Sequence, residues 1–145
     1  MTVIAWDGKT LAADKRMGID YPRTVTKIRR LLSGELVGIT GTFDQGLILA
    51  EWYEAGADPA TFPAFQADPE KNSELIIVRR DGVVCSLSNQ PVAMPMQDKQ
   101  FAVGSGRDFA ATAMHLGKTA AEAVAITNLL CASCGNGIDT LELAP

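Results

Sequence analysis

The stretch TVIAWDGKTLAAD, residues 2–14, constrains the fold more than any other part of the chain. TVIAW is β-branched and apolar, DGK is a turn signal, and TLAAD resumes an apolar run, so the segment predicts a tight antiparallel hairpin. Two registers satisfy it. With Gly8-Lys9 at the centre of a type II′ turn, the glycine supplies the positive φ needed at the first central position and Val3 lies opposite Asp14. An Asp7-Gly8 turn puts Met1 opposite Asp14 instead. We take the first, which leaves Thr2 at the strand end with the Asp14 region beside it.

Beyond the hairpin, strand and helix signals come in groups. After the loop MGIDYPR, the run TVTKIRRLL (24–32) predicts one strand, alternating Val25, Lys27 and Arg29 against Thr24, Thr26, Ile28 and Arg30. SGE is a turn and ELVGITG the next strand. TFDQGLILAEWYEAG predicts a helix, with Thr42 and Gln45 at capping-box spacing and Gly56 closing it. Residues 56–71, with Pro59, Pro63 and Pro69, predict a loop or short irregular helix. ELIIVRR and VVCSLS read as strands joined at Asp81-Gly82, and QFAVGSG as a strand running into a Gly-Ser-Gly turn. RDFAATAMHLG predicts a helix ending at Gly117, and TAAEAVAITNLLCA a second one opening on a capping box from Thr119 to Glu122. GIDTLEL is a last strand. The order is hairpin, hairpin, helix, hairpin plus strand, helix pair, strand. It predicts an α+β chain with helices layered over stacked antiparallel sheets, in a single domain over residues 1–145.

Composition removes several function classes. With 47% hydrophobic and 21% charged residues the chain is of ordinary globular type. Its apolar runs fall far short of the roughly 20 residues of a membrane span, and its first residues lack the basic and apolar regions of a signal peptide. A cytoplasmic protein without a membrane partner is expected. The net charge of -4, with one short basic cluster at Lys27, Arg29 and Arg30, argues against nucleic acid as a partner. Cys85, Cys131 and Cys134 are odd in number and do not form a secreted disulfide framework. The CASC stretch, 131–134, has the spacing of half a zinc site or a redox pair. Zinc wants four ligands, no second Cys-x-x-Cys exists and His115 is the single histidine, so no metal and no cofactor is expected. The two thiols are then small side chains at a helix end. Trp6 and Trp52 read as core or interface anchors, and His115 as a solvent-facing or dipole-complementing residue.

Three residues carry chemistry. A threonine hydroxyl is a poor nucleophile, but at a chain terminus it has its own base, a free α-amine that titrates near pH 8 and reaches the hydroxyl directly or through one water. Removal of Met1 would place Thr2 there. Lys27 is a lone cation in an apolar strand, and Asp14 ends the apolar run LAAD; each is expensive to bury without a partner, so each predicts the other. A lysine near the α-amine would favour the neutral amine and make it a better base. Read on their own, Thr2 is equally a β-former and the pair equally a structural or edge-strand feature.

TVIAWDGKTLAADKR, VTKIRRLLSGELVGITG and FAVGSGRDFA, in that order and spacing, resemble the catalytic β-subunits of the proteasome and their bacterial relative HslV, within the N-terminal nucleophile (Ntn) hydrolases. The resemblance implies a four-layer αββα sandwich of two antiparallel sheets covered by helices. It implies Thr2 as nucleophile, Asp14 and Lys27 as its charged support, the Gly41 N–H as an oxyanion donor, and Ser105 as a hydrogen-bond relay to the amine. It also implies a peptide or protein substrate and assembly into a homo-oligomer, as a ring; whether an ATPase feeds it is not written in the sequence. One stretch departs from the family. Where an Asp-x-x-Ser followed by glycines is usual, this chain has CASCGNG, which sets Cys131 at the carboxylate position and Cys134 at the hydroxyl position as supporting residues. A thiol is a weaker hydrogen-bonding group than either. The reading is therefore a threonine peptidase, with two alternatives: an inactive assembly or scaffold protein, and a small-molecule amidase on the same fold.

Overall fold

A computed structural model describes residues 2–18, 20–68, 70 and 73–145. Its first sheet has four strands in the order β10 (Phe101–Val103), β1 (Ile4–Trp6), β2 (Thr10–Asp14) and β11 (Ile138–Glu142). The second has five, in chain order: β5 (Ile28–Arg30), β6 (Leu36–Gly41), β7 (Ser73–Val78), β8 (Val84–Leu87) and β9 (Met94–Met96). A short ribbon pairs β3 (Arg16–Met17) with β4 (Arg23–Thr24). The helices are α1 (Phe43–Glu54), α2 (Arg107–His115) and α3 (Ala120–Leu130). Every strand pair is antiparallel.

Side-chain alternation along the strands builds the layers. In β1 and β2, Ile4, Trp6, Leu11 and Ala13 point to the second sheet, where they meet Ile28, Leu36, Ile76, Val78 and Val84. Val3, Ala5 and Ala12 point the other way, onto Ala110, Ala113, Met114, Ala120, Ala123 and Val124 of α2 and α3. On the far side of the second sheet Val37, Ile39, Leu75, Ile77 and Leu87 receive Leu49, Ala50 and Trp52 of α1. The result is helix, sheet, sheet, helix, as expected from the resemblance. Covering both faces explains why the inner strands β1, β2, β6, β7 and β8 are largely apolar instead of alternating with polar residues. The two cores of the first sheet differ in size. Alanines let α2 and α3 come close to β1 and β2, while the space between the sheets takes Trp6, Leu11 and the isoleucines, each adding about 1.5–3 kcal/mol when fully buried.

The hairpin adopts the preferred register. Ile4 pairs with Ala13 and Trp6 with Leu11, the Asp14 N–H donates to the Val3 carbonyl at 3.2 Å, and Gly8 at φ +98° begins the two-residue turn. The predicted strand 24–32 does not run unbroken. Arg23–Thr24 stays with the β3 ribbon, Ile28–Arg30 joins the second sheet, and the residues between them cross from one to the other, with the Val25 N–H donating to the Lys15 carbonyl and the Ile39 N–H to the Lys27 carbonyl. Lys27 therefore sits where the two sheets approach each other. At Asp81-Gly82 the connection is a three-residue loop, closed by Arg79 N–H to Val83 O at 2.9 Å. Strands β3 and β9, and the start of β4 at Arg23, go beyond the sequence reading. Pro95 is compatible with β9 because that strand is the sheet edge, where an absent N–H breaks no ladder.

Of the two predicted capping boxes, the one at α3 forms in part: Thr119 Oγ1 accepts from the Glu122 N–H at 3.2 Å. Thr42 makes no side-chain cap at α1; Asp44 in the first turn complements that helix end, and its Oδ1 accepts from the Gln45 N–H. The predicted irregular stretch holds two 3-10 turns, Pro59–Thr61 and Ala64–Ala67, while Pro69 and Lys71 lie outside the described residues. Trp6 and Trp52 are buried and His115 is exposed in the last turn of α2. Among the described residues no helix is long and apolar enough to cross a membrane.

Candidate active site

Thr2 precedes β1, Asp14 closes β2, Lys27 lies on the crossing into β5, and Ser105 sits in the turn between β10 and α2. These four come together. Lys27 Nζ donates to Asp14 Oδ1 at 2.8 Å and to Thr2 Oγ1 at 3.2 Å. Asp14, Lys27 and Thr2 are 0%, 3% and 8% exposed, so the ion pair is buried and the hydroxyl nearly so. Removing two charges from water is unfavourable unless their remaining hydrogen-bonding capacity is met. Here the carboxylate is met fully: Oδ1 also accepts from the Val3 N–H at 3.1 Å, and Oδ2 from the N–H groups of Arg16 at 3.3 Å and Gly135 at 3.1 Å.

The Gly104-Ser105-Gly106 turn grips Thr2 from the other side. Ser105 Oγ accepts from the Thr2 N–H at 3.0 Å and lies 3.4 Å from its carbonyl oxygen, to which the Gly106 N–H also donates at 3.1 Å. Gly104 has φ +95°, and a Cβ there would stand 2.2 Å from the Thr2 carbonyl oxygen, a contact that only glycine avoids. Gly104→Ala is expected to lose about 1–3 kcal/mol of stability from backbone strain alone, with further loss from the clash. Urea unfolding of the variant checks this, and an unchanged midpoint would mean that the turn does not fix Thr2.

Thr2, Lys27 and Gly41 line one cavity of ≈ 840 Å³ together with Arg16, Met17, Ile39, Phe43, Asp44 and Glu70. Gly41 ends β6, so the sequence-predicted oxyanion donor and the hydroxyl share a wall of the same space.

At the end of α3 the arrangement differs from the sequence reading in one residue. Ser133, between the two cysteines, brings its Oγ to 3.2 Å from Ser105 Oγ and 3.3 Å from Cys131 Sγ. Nothing in the residue pattern singled it out, because which side chain of CASC faces the turn depends on how α3 ends. Cys131 is the half-buried C-cap of α3, and its hydrogen bond with Ser133 holds the thiol below its ordinary range. Cys134 is buried, and desolvation, reinforced by a hydrogen bond with Cys131, pushes its thiol up to about 11. Cys134 Sγ packs against Gly106, where a Cβ would stand 2.9 Å from it. Both cysteines thus border the site, with Ser133 as the hydroxyl between them. Cys85 is remote, in the core beneath α1. Among the described residues no group of three or more His, Cys, Asp or Glu side chains could hold a metal ion.

No protein-family model and no curated protein matches the sequence. Solved structures do match. HslV from Trypanosoma brucei superposes with a TM-score of 0.72 at 17% identity, each chain covering 100% of the other. The fold is that of HslV. BPH from Thiobacillus denitrificans in complex with epoxomicin gives a TM-score of 0.71 at 18% identity, again with 100% of both chains covered. A further structure of BPH from the same organism gives 0.68 at 19%, covering 99% of this chain and 98% of that one. The likeness to HslV extends over the whole chain, so the four-layer sandwich anticipated from three short motifs holds from the first strand to the last.

Proposed function

We propose that this chain is an N-terminal threonine hydrolase, a peptidase of the HslV and proteasome kind, acting as a single domain. The observation that carries the reading is the 3.2 Å contact between Lys27 Nζ and Thr2 Oγ1, made by a lysine that Asp14 holds in place on the wall of a cavity. Met1, whose removal the reaction requires, lies outside the described residues. Once it is removed, Thr2 N becomes an α-amine, held by Ser105 and able to take the proton of Oγ1 directly or through one water. The Lys27 ammonium stabilises the negative charge that develops on Oγ1 as it attacks the amide carbonyl. The oxyanion of the tetrahedral intermediate is received by the Gly41 N–H. Collapse breaks the C–N bond, the α-ammonium returns its proton to the leaving amine, and water then hydrolyses the ester on Thr2 by the same route in reverse. Ser105, with Ser133 behind it, orients the amine; Cys131 and Cys134 take the places of the usual carboxylate and hydroxyl as supporting groups. The substrate is a peptide or protein segment, and the active form is a homo-oligomeric ring in the cytoplasm. The cavity volume, within the usual range of roughly 300–1,000 Å³ for small ligands, favours a small-molecule amide as the second reading.

Epoxomicin, which the Thiobacillus denitrificans neighbour binds, supplies the test. Intact mass of the protein from its own cells is expected to lack Met1, and that form is expected to hydrolyse fluorogenic peptides and to lose the activity on incubation with epoxomicin. A Met1-free protein that neither cleaves peptides nor binds the inhibitor would sink the peptidase reading. Retention of Met1 throughout would leave Thr2 without its base and make the chain a scaffold.

A further inference from the structure

The two thiols at the end of α3 are poised for chemistry of their own. Cys131 caps the helix, and the Cys134 N–H donates back to the Cys131 carbonyl at 3.3 Å, closing a tight turn of four residues. Such a turn brings its end Cα atoms within about 7 Å, close to the roughly 4.4–6.8 Å that a disulfide spans. Both are free, Cys131 half-buried and Cys134 buried. The turn also touches the threonine. Cys131 Sγ contacts Ser133 Oγ, which contacts Ser105 Oγ, which accepts from Thr2 N–H. Cys134 Sγ is packed so near Gly106 that a Cβ on that glycine would stand 2.9 Å from it, and Gly106 N–H is a donor to the Thr2 carbonyl.

We infer that Cys131 and Cys134 form a reversible disulfide whose closure withdraws Ser133 and loosens the Gly104–Gly106 grip on Thr2. The disulfide itself is independent of the proposed peptidase function, whereas its effect on turnover rests on that reading. A low-molecular-weight disulfide such as oxidised glutathione is the oxidant. The Cys131 thiolate, the more exposed and more readily ionised of the two, attacks one glutathione sulfur and expels a glutathione thiolate. Cys134 then attacks Cys131 Sγ in the mixed disulfide and expels the second glutathione. One S–S bond forms as one is broken, and the two cysteine protons end on the two glutathione thiols. Closing the bond draws Sγ of Cys131 away from Ser133 and Sγ of Cys134 away from Gly106, so the hydroxyl chain to Thr2 loses its outer member. Transient disulfides of this kind belong to redox-responsive proteins of reducing compartments.

The test treats the full-length protein with oxidised glutathione at graded ratios to reduced glutathione and reads three quantities. Intact mass and peptide mapping are expected to show the loss of two hydrogens and a 131–134 bond, reversed by dithiothreitol and absent in Cys131→Ser and Cys134→Ser. Amide exchange across residues 104–106 is expected to quicken on oxidation of the wild type and to stay unchanged in both variants. Peptide hydrolysis is expected to fall by about tenfold, the loss of one hydrogen bond to a charged group, each variant being compared with its own reduced rate. A glutathione adduct that persists on Cys131, or no reaction, overturns the disulfide. A disulfide that forms without altering exchange at 104–106 overturns its coupling to Thr2. If the reduced protein cleaves no peptide, the peptidase reading falls while mass and exchange still decide this one.

Discussion

Thr2→Ala is expected to lower peptide hydrolysis by about 10⁴-fold or more, the scale on which acyl-transfer sites fail when a member of the nucleophilic machinery is removed. Its melting temperature should stay close to the parent's. Among the described residues the hydroxyl accepts from Lys27 Nζ, and Lys27 keeps Asp14 when that acceptor is lost. Thr2→Ser retains both the hydroxyl and the adjacent amine and is expected to keep a large part of the rate. Kinetics on the pair, with intact mass confirming that both begin at residue 2, separate a nucleophile from a packing residue. Hydrolysis by Thr2→Ala at the parental rate would remove Thr2 from the reaction.

Lys27→Ala reaches further, because it acts on stability and chemistry together. Asp14, 0% exposed, would keep its three backbone donors and lose the counter-charge of Lys27. Breaking a buried pair from one side typically loses about 3–5 kcal/mol. The remaining N–H groups hold the loss to the lower end, about 3 kcal/mol, or on the order of 10 °C in melting temperature for a chain of this size. Hydrolysis should fall as deeply as in Thr2→Ala, since the alkoxide would lose its cation. The double variant Asp14→Leu/Lys27→Met sharpens the point. Replacing both partners of an isolated buried pair by apolar groups is often neutral, but here the N–H groups of Val3, Arg16 and Gly135 would be stranded. The double variant should remain destabilised. Full recovery of the parental melting curve would show those three bonds to be of little consequence, and an unchanged curve for Lys27→Ala would show the same of the ion pair.

How much of this was legible in the residues depended on whether the signal was local. The hairpin register followed from Gly8, the one residue able to open a type II′ turn in DGK, and α3 from Thr119. The cluster of Thr2, Asp14 and Lys27 was readable because charge in an apolar run requires a partner, and only two such charges were available near the first strand. Where the structure departs from the sequence pattern, the deciding contacts are distant in sequence. Nothing in TVTKIRRLL marks the crossing at Val25 to Lys27, since it is set by Lys15 on one side and Ile39 on the other. Strand β9 exists because β8 offers it an edge. Thr42 had the right neighbours for a cap and did not make one. Ser133 was hidden because helix termination, not residue type, turns its hydroxyl toward Ser105.

The covering of the first sheet on both faces has a consequence for quality control. In a sheet with one wet face, a one-residue slip exposes every apolar side chain and is rejected by water. Between two dry layers that penalty is weak, and a slipped β1 would trade Trp6 for Ala5 without wetting either. What distinguishes the correct pairing is the size mismatch and the carboxylate at the end of β2, whose Oδ1 takes the Val3 N–H in the same grasp that takes Lys27. A chain paired one residue out of step loses both at once. On the proposed function, such a mispaired copy would hold no hydroxyl against Lys27 Nζ and would be silent rather than indiscriminate.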